Sequence, residues 1–67
     1  MNSLQRHILD FLEEDVRNRE AVIDGIERGL ARHRVGDRDT TEETLVEYNA
    51  RVSEAKELIA KLKAESR

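Results

Sequence analysis

His7, Asp10 and Glu14 come closest to a chemical constellation in this chain. Steps of three and four residues put them on one helical face, where an imidazole and two carboxylates could hold a metal ion. Donors of that kind recur by chance on any charged helix, and a solvated surface accounts for them far better. The acidic pairs Glu13–Glu14 and Glu42–Glu43 read as helix surface and helix start. Cysteine is absent, and neither a glycine-rich phosphate loop nor a serine–histidine arrangement is present. No enzyme, metal or cofactor is expected.

Arg28, Arg32, His33, Arg34 and Arg38 form the one basic concentration. Cations gather where a helix dipole ends in negative charge, so helix termination and solvation explain most of it. An acidic partner or a phosphate is the sharper alternative. No aromatic residue is interleaved for base stacking, and the net charge is −3 with a pI near 5.3. A nucleic-acid partner is therefore not expected.

The elements that must position these residues are two helices. Leu45, Tyr48, Val52, Ala55, Ile59 and Leu62 follow one another at alternating steps of three and four, a narrow apolar stripe on one helix. Such a stripe requires a second helix, and the first half of the chain supplies it. Leu9, Val16, Ile23 and Leu30 recur every seven residues, with Gln5, Leu12, Arg19, Ile26 and His33 in the companion position and Ile8 and Val22 on a flank. Asn2 and Gln5 have the spacing of a capping box. Gly36 offers the stop, and the Asp39-Thr40-Thr41-Glu42-Glu43 run offers the next start, with Asp39 or Thr40 as cap and Glu43 in reach of Thr40. The spacing predicts an all-α antiparallel helical hairpin, with helices over about 3–34 and 40–65, forming one domain over 1–67.

Arg19 stands in the middle of the apolar stripe and requires a partner. Asp15, one turn earlier, supplies one; a break near Asp15–Asn18 that frees Arg19 for another molecule is the competing expectation. Gly25 and Gly29 share a face beside the seam, as either a tight helix approach or a soft region.

A chain of 67 residues with 37% hydrophobic content, 3% aromatics and 40% charged residues builds only a small core. Domains of this size usually need a staple, and without cysteine the available ones are a second copy or another protein. The hairpin should thus be completed by dimerisation into a bundle or by a partner protein. No apolar run could cross a membrane and no secretory leader follows Met1, so a cytoplasmic location is expected and no membrane partner.

The run EAVIDGIERGLARHRVGDRDTTEETLVEYNARVSEAK resembles the toxin-binding half of small type II antitoxins of the ParD and RelB kind. Ala21, Ile23, Gly25, Gly29 and Leu30 echo the end of their first helix, and Gly36, Thr40 or Thr41, Glu42 and Glu43 echo the turn and second start. The usual DNA-binding ribbon is missing, because MNSLQRHILDF reads as helix. The resemblance implies an acidic helical chain laid on a basic toxin and neutralising it, with contacts from Arg19, Ile23, Ile26, Leu30, Leu45, Tyr48, Val52 and Ile59. A self-assembling bundle with no separate client is the second expectation, and a nucleic-acid-associated regulator using the Arg28–Arg38 cluster is the third.

Overall fold

The computed structural model describes residues 1–65. It contains helix α1 over Ser3–Glu27, strands β1 over Arg34–Val35 and β2 over Arg38–Asp39, and helix α2 over Thr41–Glu65. The helices pack antiparallel into a rod of 47 × 19 × 16 Å. The helical hairpin is as the apolar spacing requires.

The capping box at the start of α1 is closed in both directions. The Gln5 N–H donates to Asn2 Oδ1 at 2.8 Å, and the Asn2 N–H donates to Gln5 Oε1 at 3.0 Å. Two of the backbone donors that a helix start leaves orphaned are satisfied in this way.

α1 ends at Glu27, well before the predicted end near Arg34, and Gly29 rather than Gly36 is the stop. Gly29 adopts φ +74°. Its N–H donates to Ile26 O, and the Leu30 N–H donates to Gly25 O at 2.9 Å. That pair of bonds is a Schellman motif, with Gly29 in the left-handed position. In this motif the residue after the glycine normally rests on the side chain where the last full turn begins. Here that residue is Gly25, the side chain nearest to it is Ala31, and Leu30 projects outward.

The segment after Leu30 forms a small β-hairpin that the helical spacing did not foresee. Arg34 pairs with Asp39 and Val35 with Arg38 across the two-residue turn Gly36–Asp37. Gly36 carries φ +61° while Asp37 stays at negative φ, the backbone pattern of a type II′ turn.

Val16, Ile23, Val52 and Ala55 form the buried core, with Leu12, Leu45, Tyr48 and Ile59 packed against it, and Leu9 is buried toward the termini. α1 runs unbroken through Asp15–Asn18, so the expectation of two angled segments there does not hold. Arg19 instead donates from Nε to Asp15 at 3.0 Å and lies over the Tyr48 ring, 4.9 Å from its centroid. A seam charge is accommodated by one carboxylate and one aromatic face, with the arginine stem along the apolar stripe.

Candidate interaction surfaces

The turn is held by a polar network centred on Asp39. Its carboxylate accepts from the Thr41 N–H at 3.0 Å, from the Thr41 hydroxyl, and from Arg32 Nη2 at 2.6 Å. Hydrogen bonds from the Thr41 hydroxyl and backbone, then from Arg32, hold the Asp39 carboxyl well below the usual carboxylate range. The buried Thr41 hydroxyl also accepts the His33 N–H at 3.0 Å, tying the residue before β1 to the start of α2. Thr40 gives its carbonyl to the Thr44 N–H, the position of a helix cap, but its hydroxyl lies 2.6 Å from His33 Nδ1. Asp39 therefore supplies the capping side chain. Glu43 does not reach back to Thr40 and pairs with Arg38 instead.

That arrangement also uses up most of the basic cluster. Arg28 pairs with Asp24 at 3.1 Å, Arg32 with Asp39 and Arg38 with Glu43. A cation already facing a carboxylate releases fewer counterions when it meets a phosphate, which weakens the case for a nucleic-acid role. His7, Asp10 and Glu14 are all exposed, and no group of metal-ligating side chains forms among the described residues.

The residues put forward as partner contacts divide sharply by burial. Ile23 and Val52 are buried in the hairpin's own core. Ile26, Leu45, Tyr48 and Ile59 are half-buried, and Arg19 is spent on Asp15 and Tyr48. A second molecule could reach Ile23 or Val52 only with the helices separated. Leu30 stands open, at 78% exposure.

Two other apolar groups lie open, one at each end of the rod. At the turn end Val35 and Val46 are 64% and 73% exposed and accompany Leu30. Glu42, Glu43 and Glu47 surround Val46 in a shallow depression of about 430 Å³. At the end bearing the termini, Leu4 and Phe11 are 69% and 70% exposed, with Met1, Ile8 and Leu58 roughly half-exposed beside them. Phe11 and Leu58 line one groove of about 280 Å³ that continues between the helices to Arg19 and Arg51. Leu4 and Phe11 stand at helical spacing from Ile8, on the flank of the α1 stripe; Val35 lies between Arg34 and Gly36, and Val46 shares its helix face with Glu42, Glu43 and Asn49, so neither carries such a signal.

No helix among the described residues is long and apolar enough to cross a membrane. No protein-family model, curated protein or solved structure matches this chain.

Proposed function

We propose that this chain is a small acidic interaction protein that binds and restrains a partner protein, as the resemblance to type II antitoxins implies. One observation carries the reading: Leu30, Val35 and Val46 are left open at the turn end, Val46 in a depression lined by Glu42, Glu43 and Glu47. Exposed apolar side chains on a rigid, hydrogen-bonded turn bind at little ordering cost. Adjacent carboxylates steer a basic client and set its orientation more than they set final affinity. The client surface is thus the turn end, with Leu30 as the contact that the sequence already offered. The core residues Ile23 and Val52 act by holding the hairpin that presents it.

The test is co-expression with the product of the adjacent gene, followed by calorimetric titration of the two purified proteins. A basic client that is toxic alone, is neutralised by this chain and loses at least about tenfold in affinity on Leu30→Asp or Val46→Asp supports the reading. Neutralisation indifferent to both substitutions contradicts the assignment of the surface, and a neighbour that neither binds nor harms the cell contradicts the function.

Self-assembly is the second reading, and a different observation favours it: the apolar group at the terminal end.

A further inference from the structure

The face of α1 beside the one packed on α2 carries a second stripe with seven-residue spacing. Leu4, Ile8 and Phe11 follow at steps of four and three, with Met1 just ahead of the helix, and all four are exposed. The same steps continue through Asp15, Asn18 and Val22, so two polar residues separate the apolar first half from a lone valine. Leu58 extends the apolar half across to α2, where it shares a groove with Phe11.

We propose that this terminal end is a homodimer interface, with α1 of a second copy crossing antiparallel and the two-fold axis passing between Leu4 and Ile8. The proposal is independent of the client reading, which uses the opposite end of the rod. Exposure is the first support: Leu4 and Phe11 are 69% and 70% exposed, and Met1, Ile8 and Leu58 are roughly half open.

Self-complementarity is the second support, and it selects a second copy over an unrelated helix. A two-fold contact places a patch against itself. Antiparallel about this axis, Leu4 meets Ile8 of the second copy and Phe11 reaches the chain start of the second copy beside Met1, so the apolar residues of the first turns face one another. Asp15 and Asn18 then fall beyond the overlap, in water. A parallel pairing would press the Asp15–Arg19 ion pair and Asn18 against their own copies, polar groups that the antiparallel overlap leaves in water. Charge is the third support. The antiparallel overlap brings the positive N-terminal end of each α1 toward Glu14 of the other, whereas a parallel one would bring two positive ends together.

Sedimentation equilibrium of the full chain across roughly 5–500 µM, the range that reads a micromolar dissociation constant, tests this. The expected mass is twice 7.8 kDa at the upper concentrations. Phe11→Asp and Leu4→Glu should each weaken association by at least about 100-fold while leaving the far-ultraviolet helix signal unchanged, since both side chains are exposed in the single hairpin. Val46→Asp, at the other end, should leave the mass unchanged. A wild-type chain that stays at 7.8 kDa throughout, or a dimer indifferent to both terminal-end substitutions, overturns the proposal. Cysteine cross-linking gives a readout that does not depend on tolerance of a charge. An equimolar mixture of Leu4→Cys and Ile8→Cys chains should oxidise to covalent dimers several-fold faster than either alone, and equal rates would rule out the antiparallel register.

Discussion

The two ends of this rod are held by different physics. At the turn end, Asp39, Thr41, His33 and Arg32 form a closed hydrogen-bond network that fixes the start of α2 against a two-residue β-hairpin. At the terminal end, the capping box of Asn2 and Gln5 is closed, and Leu4, Ile8 and Phe11 beside it are open. Hydrogen bonds within one chain are insensitive to its concentration, whereas an apolar face completed by another molecule is concentration-dependent. The turn end should therefore behave as a rigid display element, and the terminal end as the part whose order depends on association.

The largest effect should come from breaking what both ends share. Ile23→Ala removes a buried side chain from the middle of the core and should cost about 2–4 kcal/mol. Urea denaturation followed by circular dichroism reads this, and loss of both ends together is the expected behaviour. Next, Gly29→Ala forces a left-handed backbone onto a residue with a Cβ, at a cost of about 1–2 kcal/mol. That substitution should loosen the turn end selectively, seen as faster amide exchange of Leu30 and Ala31.

A smaller change, of opposite sign, is expected four residues earlier. Gly25 lies within the helix, and a Cβ there would meet Ala31 Cβ at 3.8 Å, ordinary contact distance. Gly25→Ala should stabilise the hairpin by about 0.5–1 kcal/mol and raise its thermal midpoint.

The weakest effect is in acid. Because the folded Asp39 carboxyl sits below its ordinary value, its contribution is complete above about pH 4 and is lost as pH falls further toward the folded value. Asp39→Asn should remove that part of the acid dependence and leave the terminal end unaffected. Stability measured by urea midpoint between neutral pH and pH 3, for the wild type and Asp39→Asn, checks the sign.

Both helices, the seam residues and the α1 cap were legible in the sequence because an apolar stripe and a capping box are local patterns. The helix stop and the β-hairpin were not. Leu30 and His33 continue the seven-residue count past Gly29, so the arithmetic carried α1 through a residue that ends it. The strands offered no alternation to oppose this, being two residues each and built from arginine, valine and aspartate. The contact residues were harder still. One set of side chains was asked to close the hairpin and to grip a client. Burial of Ile23 and Val52 assigns those two to the hairpin, whereas Leu30 lies past the helix stop at Gly29 and stays exposed. Arg19 was legible as a residue needing a partner; that Tyr48 would be half of the answer depends on a helix register the sequence does not print.

Amide hydrogen exchange of the full chain over a dilution series tests the contrast between the ends most directly. Protection of amides around Ile8 to Leu12 in α1 should rise with protein concentration, while that of Thr41 and Thr44 stays constant. Protection that is the same at every concentration along the whole of α1 would mean that the terminal face is complete on its own, and the account of an unfinished hairpin would be wrong.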